Sequence, residues 1–460
     1  MLPSYAFEFH FFRHDGPAQS GGISDNVAAM TSPQLIALTV LVGVVAALVH
    51  GRIRSEVVAL AGAAILLATR TIRPVEVQGA FASPAIIALA SLFVIAYALE
   101  LNGVLGILIR MATRLCARLG VTGLWIVITL SGAASAFVNN TPIVVLTAPV
   151  VRDVAESLSL SAKRFLIPLS YISIMGGACT LIGTSTNLLV NDMARNAGQP
   201  VFSLFEITPV ALCIAAVGGA YLLLFGGYLI NTAQVEGASG QLPMRAETAA
   251  GDDPALFPVN RPFLPLRGVV SLLVFVGVVV AAALNIAPIA ASAFAGAVLL
   301  MVTGTIRADD AYKGLRPEIL LLIAGMVVIG LALELTGLAA LATKALLGWV
   351  KYAGPFSGLA ILYGATLFLT EILSNAAVAV LLTPIAVALA ESLGVSPRPF
   401  LVAVMMAASA AFATPFGYQT NVLVYKLGNY SYLDFVKIGV PLNLITWLVG
   451  ALVIPLFFPF

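Results

Sequence analysis

The chain has 460 residues, of which 60% are hydrophobic and 10% are charged, and its mean hydropathy is +1.04. This composition excludes an ordinary soluble domain and indicates a polytopic membrane protein. The formal net charge of +2 is too small to indicate nucleic acid or an acidic protein as a partner. Only the placement of the charges along the chain is therefore informative.

Residues 1–31 combine an aromatic cluster with a Gly- and Ser-rich run, and they lack an apolar stretch long enough for a secretory signal. We predict a disordered leader there. The segments that follow are long and apolar enough to cross a bilayer. They lie at about 33–50, 55–70, 83–101, 163–182 and 205–231.

A basic segment lies between the third and fourth of these stretches. Arg110, Arg114 and Arg118 recur every four residues, which places them on one face of a helix over 103–119. A helix with one basic face is typical of the membrane interface, so we predict that this segment lies along the bilayer surface.

Two shorter apolar segments, 122–138 and 142–158, flank a polar turn. Backbone that leaves the helical conformation inside a bilayer must be buried in protein or face water, because each freed N–H and C=O needs a partner. Pro142 suits the first turn of a second helix, which Thr141 or Asn140 can cap. The two segments therefore predict a re-entrant hairpin with a polar tip.

The same pattern recurs about 234 residues later, in one register through polar as well as apolar positions. Chance similarity between two apolar segments does not extend through matched polar residues, so we interpret the chain as an internal repeat. The matched pairs include Asn140 with Asn375, Pro149 with Pro384, Phe165 with Phe400, and Gly183–Asn187 with Gly417–Asn421.

An odd number of crossings in each repeat predicts that the second repeat lies upside down in the membrane. The predicted fold is an all-α polytopic membrane protein with two inverted-topology repeats, each with five membrane crossings, a re-entrant hairpin and one broken helix. We place the first repeat at 32–231, a cytoplasmic linker at 232–266 and the second repeat at 267–460. Loop Lys and Arg residues then obey the positive-inside rule, as expected for a multi-pass protein of the inner (plasma) membrane.

Inverted repeats with interrupted helices are typical of secondary transporters, which bind their ligands near the bilayer midplane. Carbonyl groups at half-helix ends can bind Na⁺, and half-helix N-termini attract anions. The interrupted segments contain no Lys or Arg, so a divalent anion needs another source of positive charge, and bound Na⁺ is the simplest. The spans show no His-based metal motif, paired carboxylates or activated nucleophile. We therefore predict a transporter rather than an enzyme, with Na⁺ as coupling ion and no cofactor.

The polar turns resemble one family closely. The Asn-Asn-Thr turn at 139–141 and the Ser-Asn turn at 374–375, with Gly-Thr-Ser-Thr-Asn at 183–187 and Pro-Phe-Gly-Tyr-Gln-Thr-Asn at 415–421, resemble the divalent-anion:sodium symporter family of the ion transporter superfamily. The resemblance covers nearly all of 33–460. It implies a homodimeric, Na⁺-coupled carrier of sulfate or of di- and tricarboxylates that works by an elevator-type motion.

The resemblance also implies the site residues. It assigns one Na⁺ to Ser135, Asn139, Asn140 and Gly183, and the other to Thr370, Ser374, Asn375 and Gly417. It assigns the anion to Asn140, Thr141, Thr184, Asn375 and Tyr418. The chain departs from the family signature at Asn139, which replaces a Ser, and at Ala376, which replaces a Thr. Its Gly417–Asn421 segment is closer to sulfate-type permeases than to dicarboxylate carriers.

Some interpretations stay open on the sequence alone. Thr186-Asn187 and Thr420-Asn421 are either site residues or caps of the second halves of the broken helices. Glu371, one turn before Asn375, is either a proton or coupling site or a hydrogen-bonded structural group. The alternative function is a Na⁺/H⁺ antiporter or a metalloid-oxyanion exporter of the same superfamily.

Overall fold

The computed structural model describes residues 30–50, 52–104, 106–107, 111, 114, 118–229, 264–341, 343 and 354–460. Regular secondary structure in this part of the chain is helical. Seven of its helices are long and apolar enough to cross a membrane, and five shorter apolar helices accompany them. The prediction of an all-α polytopic membrane protein is confirmed.

The described part of the first half forms nine helices, close to the predicted segments. Prolines open two of them, at a position where a missing N–H costs no helical hydrogen bond. The helices are α1 (Ser32–His50), α2 (Ser55–Ala68), α3 (Pro74–Phe81), α4 (Pro84–Leu101), α5 (Val121–Ser135), α6 (Asn140–Ser157), α7 (Lys163–Gly177), α8 (Ser185–Asn196) and α9 (Thr208–Leu229). The short helix α3 is absent from the sequence-based predictions.

The described part of the second half forms nine helices in the same order. They are α10 (Pro265–Ala283), α11 (Ile289–Val302), α12 (Ala308–Gly314), α13 (Pro317–Leu335), α14 (Gly354–Thr370), α15 (Asn375–Leu393), α16 (Arg398–Ala408), α17 (Gln419–Leu427) and α18 (Tyr432–Phe457). This recurrence accords with the internal repeat. The inverted orientation, the five crossings per repeat and the repeat boundaries stay predictions.

Several predicted segments fall outside the described residues. These are most of the 1–31 leader, most of the 232–266 linker, and Arg110 of the basic face. Helix α10 already begins at Pro265, within the predicted linker. Arg114 and Arg118 are exposed, as an interfacial position requires.

The helices pack into two groups. The frame group contains α1–α4 and α10–α13, and the hairpin group contains α5–α9 and α14–α18. Within the frame group, helices of the first half pack on helices of the second half. Helix α2 packs on α13, and α4 packs on α11. The main contacts between the groups run through α13 with α15 and through α8 with α4 and α13.

Close helix crossings in the hairpin group depend on glycine. Helices α5 and α7 meet where Gly132 faces Gly176, and a Cβ added at Gly176 would overlap the Gly132 carbonyl group. A Cβ added at Gly132 would lie 2.7 Å from Cγ2 and 2.9 Å from the carbonyl oxygen of Ile172. Backbone atoms cannot move aside as a flexible side chain can, so this pair sets the distance between the two helices.

We expect Gly176→Ala to destabilise the protein by about 2 kcal/mol or more, because the new methyl group must push two helix backbones apart. The measurement is the thermal unfolding midpoint in detergent. Gly226→Ala in α9 is the matched control, since its nearest neighbour would be Pro168 Cγ at 3.7 Å, an ordinary contact. Equal midpoints for the two variants would contradict this account of the crossing.

Candidate functional site

The tips of the two hairpins have the same hydrogen-bond geometry. Ser135, at the end of α5, donates its hydroxyl to Oδ1 of Asn140. The hydroxyl of Thr370, at the end of α14, lies 2.8 Å from Oδ1 of Asn375 and 2.7 Å from the Ala408 carbonyl oxygen. In both cases the two residues are five positions apart. The structure thus pairs each predicted hydroxyl ligand with the Asn of the same predicted Na⁺ site.

The residues just before these Asn positions cap the second helix of each hairpin. Asn139 Oδ1 accepts from the backbone N–H of Thr141 at 3.2 Å, and Ser374 Oγ accepts from that of Ala377 at 3.4 Å. The prediction that Asn140 or Thr141 caps the helix is therefore wrong, because α6 begins at Asn140, two residues before the predicted start at 142. The side-chain oxygens of Asn139 and Ser374 thus already accept a hydrogen bond from the backbone.

Carbonyl oxygens surround Gly183 in the unwound segment between α7 and α8. A Cβ added at Gly183 would lie within 2.8 Å of the carbonyl oxygens of Ser135, Ala136 and Gly177. Oδ1 of Asn140 lies directly against Gly177. These groups are neutral oxygens of the kind that hard cations such as Na⁺ accept as ligands. The three nearest neighbours of an added Cβ at Gly183, in the first predicted cation site, are thus all neutral oxygens.

Two threonines that the sequence analysis did not select hold the unwound segments in place. Thr180 Oγ1 accepts from the Gly183 N–H at 3.1 Å and donates to the Ala136 carbonyl group. Thr414 Oγ1 accepts from the Gly417 N–H, also at 3.1 Å. The repeat register pairs these threonines as it pairs the glycines, so extending the comparison three residues upstream would have found them.

The interpretation of the Thr-Asn pairs as caps of the following helices is wrong. Asn187 Nδ2 donates to the carbonyl groups of Ala178 and Thr180, at 3.3 and 2.9 Å. Asn421 Nδ2 donates in the same way to the carbonyl groups of Ala411 and Thr414, at 2.8 and 3.3 Å. Both side chains therefore satisfy carbonyl groups freed at the end of the preceding half-helix.

The second halves of the broken helices begin without a side-chain cap. Thr184 precedes α8 and Tyr418 precedes α17, and neither side chain accepts from the first turn of its helix. Uncapped first-turn N–H groups and the positive end of the helix dipole attract an anion. Thr184 lies beside the Tyr418 hydroxyl, so the two helix starts are neighbours.

Two side-chain hydrogen bonds join the tip of the first hairpin to the start of α17. Asn140 Nδ2 donates to the Tyr418 hydroxyl at 2.8 Å, and Thr141 Oγ1 donates to Oε1 of Gln419 at 3.2 Å. Gln419 is exposed and was not selected from the sequence. Its neighbour Tyr418 was selected, yet no pattern in the chain indicated that residues 278 positions apart would pair.

Glu371 is a hydrogen-bonded structural group of the second unwound segment. Its Oε1 accepts from the Ala413 N–H and from Asn443 Nδ2, both at 2.7 Å. Its Oε2 accepts from Thr414 Oγ1 at 2.8 Å. Three donors on one carboxylate hold α14, the 409–418 segment and α18 together. The possibility that Glu371 also serves in coupling stays a prediction.

The structure brings most predicted site residues into one neighbourhood. Five of them lie around the first hairpin tip, namely Ser135, Asn140, Thr141, Thr184 and Tyr418. Thr370, Asn375 and Gly417 lie around the second, and Gly417 is the chain neighbour of Tyr418. Sequence spacing does not predict that the two tips lie against the two helix starts, because that placement depends on how the two halves of the chain pack.

Comparisons with known proteins agree with this architecture. A model of the citrate transporter family matches residues 44–394 and 378–459. An uncharacterized transporter of Synechocystis is 24% identical over 88% of this chain and 94% of its own length, and the uncharacterized transporter YfbS of Escherichia coli is 25% identical over 89% and 97%. Sodium/sulfate cotransporter 1 of Chlamydomonas reinhardtii is 39% identical over 33% of this chain and 17% of its own length.

One solved structure has the same fold. The YdaH transporter of Alcanivorax borkumensis, described as having an unusual topology, aligns with a TM-score of 0.56 over 93% of this chain and 98% of its own. The sequence identity is 14%, so the likeness shows the fold alone.

Proposed function

The chain belongs to the citrate transporter family, and we propose that it is a Na⁺-coupled symporter of a divalent oxyanion, with sulfate as the first candidate. Family membership and the apolar helices make it a multi-pass membrane transporter of the plasma membrane and not an enzyme. The 39% identity to a protein named as a sodium/sulfate cotransporter supports Na⁺ and sulfate. Di- and tricarboxylates remain the other substrate class within the proposal.

The proposal rests on one observation: groups that suit a cation and groups that suit an anion both lie near Asn140. Neutral oxygens surround Gly183 on one side, and the uncapped starts of α8 and α17 lie on the other. The first arrangement suits a cation and the second suits an anion. No Lys or Arg lies in 119–151 or 165–194, so the cation supplies the positive charge that an anion requires here.

Two Na⁺ ions, one at each hairpin, fit the proposed stoichiometry. Together with a divalent anion they form an electroneutral load, which draws on the Na⁺ gradient alone. A third Na⁺ would add about 2.3 kcal/mol per 100 mV of membrane potential. We propose two, because the repeat supplies two matched Ser/Thr–Asn pairs.

The test is thermal stability of the purified protein with sulfate, thiosulfate, succinate, citrate or arsenite, each as a Na⁺ and as a choline salt. The proposal expects one divalent anion to stabilise the protein only when Na⁺ is present. A shift that follows pH or Na⁺ alone, with no anion effect, would favour the Na⁺/H⁺ antiporter. Arsenite as the sole stabilising anion would favour the metalloid-oxyanion exporter.

We also propose that the hairpin group moves against the frame group as the elevator, with the frame group as the homodimer scaffold. The limited contact between the two groups supports this division. One polar contact crosses the boundary at the start of α4, where Ser83 Oγ donates to Asp192 Oδ2 at 2.5 Å. Asp192 also accepts from Arg195 at 2.9 Å. This contact borders a crevice of about 290 Å³ between α8 and the α10–α11 turn.

We expect Asp192→Asn to loosen the two groups, because the charged acceptor of the Ser83 hydroxyl becomes a neutral amide oxygen, which forms a weaker hydrogen bond. The measurement is maleimide labelling of a cysteine placed at Ala290 in the crevice, in a background without the three native cysteines. Labelling should be faster in the variant. Asp153→Asn, an exposed acid within the hairpin group, is the matched control and should leave the rate unchanged.

A further inference from the structure

The two proposed cation sites differ by one fixed charge. The register that pairs Asn140 with Asn375 also pairs Ala136 with Glu371. The first hairpin therefore has an alanine at the position where the second hairpin has a carboxylate. Both tips form a Ser/Thr-to-Asn contact, although only the second tip has an acid at this position.

Glu371 borders the second cation site closely. It follows Thr370 in the chain, and a Cβ added at Gly417 would lie 3.3 Å from its Oε2. The three donors on this carboxylate, Ala413, Thr414 and Asn443, are neutral, so none of them cancels its charge. No Lys or Arg occurs in 352–397 or 399–425. The second site thus has a carboxylate that forms no ion pair with a Lys or Arg in the described part of the chain.

The first site has no such charge. Its lining consists of backbone carbonyl groups around Gly183 and the side-chain oxygen of Asn140, which are all neutral. A cation loses most of its hydration when it enters such a site, and neutral ligands replace that hydration only in part. A divalent anion bound at the nearby starts of α8 and α17 would supply the missing countercharge.

From this difference we propose a binding order: Na⁺ occupies the second site without the anion because Glu371 balances its charge, and Na⁺ occupies the first site only together with the anion. Glu371 acts as a resident anionic partner of the cation. The inference rests on the two proposed cation sites, and it holds for whichever divalent anion is the substrate.

The test is a Na⁺ titration of thermal stability, in chloride salts with choline as the replacement cation, with and without sulfate. For the wild type we expect one stabilisation by Na⁺ alone and a second that requires Na⁺ and sulfate together. Glu371→Gln should raise the Na⁺ concentration for the anion-free stabilisation at least about tenfold, since a charge a few ångströms from a cation is worth that much inside a protein. Glu371→Asp keeps the charge but shortens the side chain that accepts the three hydrogen bonds, so it should shift the anion-free stabilisation less than Glu371→Gln does.

Two further variants separate this inference from a general loss of stability. Gly183→Ala should keep the anion-free response and lose the response to sulfate, the reverse of Glu371→Gln. Glu156→Gln, an exposed acid of the first hairpin, should change neither. ²²Na⁺ binding to the protein in nanodiscs repeats the comparison without any unfolding step.

The inference is overturned if Glu371→Gln keeps the wild-type response to Na⁺ alone, or if Gly183→Ala loses that response to the same extent. A wild type that ignores sulfate and the other anions would instead contradict the proposed symport. The anion-free Na⁺ response and its dependence on Glu371 would still be measured, so the two failures are distinguishable.

Discussion

Asn140→Leu is expected to abolish Na⁺-dependent anion uptake while leaving a folded protein. Leucine has the same branched shape as this buried side chain, although it is larger, and it removes the acceptor of the Ser135 hydroxyl and the donor to Tyr418. Each buried polar group left without a partner costs about 1–3 kcal/mol, and a proposed Na⁺ ligand disappears as well. Together these losses predict a decrease in uptake of at least about 100-fold.

The measurement is uptake of labelled sulfate into proteoliposomes with an inward Na⁺ gradient. The matched control is Asn139→Ser at the adjacent position. Serine can accept from the Thr141 N–H as Asn139 does, so it preserves the cap and should retain most of the uptake. If Asn140→Leu transported like the wild type, the first hairpin tip would not be part of the binding site.

Gly183→Ala is expected to have an effect of similar size by a different route. The added methyl group would lie within 2.8 Å of three carbonyl oxygens, two of them from the end of the first hairpin and one from the end of α7. It would occupy the space that these oxygens surround, and a shift of any one of them moves a helix end. Both proposed functions of this site, cation binding and closure of the hairpin against the broken helix, should fail.

The same substitution at the paired position should be milder. A Cβ at Gly417 would meet Ala411 Cβ at 2.7 Å, which moves only with its backbone, and the Thr414 hydroxyl at 2.9 Å, which can rotate away, whereas all three neighbours at Gly183 are backbone oxygens. Gly219→Ala in α9 has open space around it and should be neutral or slightly stabilising in a helix. Uptake should therefore rank Gly219→Ala above Gly417→Ala, and Gly417→Ala above Gly183→Ala. Any other order would contradict the carbonyl lining of the first site.

The repeat register found in the sequence had unusual predictive value. It paired Asn140 with Asn375, the family resemblance implied Ser135 and Thr370 as their hydroxyl partners, and the structure places each hydroxyl within hydrogen-bond distance of its Asn. The register works because each pair is local: a hydroxyl and an amide five residues apart across a tight turn meet through backbone geometry alone. Local geometry of this kind repeats wherever the sequence repeats.

The predictions of helix caps were wrong where several side-chain and backbone groups compete for the same hydrogen-bond partner. The sequence left two interpretations of Asn187 and Asn421 open, as ligand-binding residues or as caps of the next helix. In the structure their amide nitrogens donate to carbonyl groups of the preceding half-helix, which are freed only because the chain unwinds there. The number of free carbonyl groups depends on the length of the unwound segment, and sequence pattern does not specify that length.

The amino-acid sequence by itself determined the membrane class, the all-α composition, the repeat and the positions of the interrupted helices, because apolar length and polar breaks are properties of single segments. Only the tertiary structure decided which interruptions meet. The pairing of Asn140 with Tyr418, the carbonyl lining around Gly183 and the three donors on Glu371 all join segments that lie far apart in the chain. Such contacts follow from how the two halves pack against each other, and packing depends on the shapes of all the helices at once.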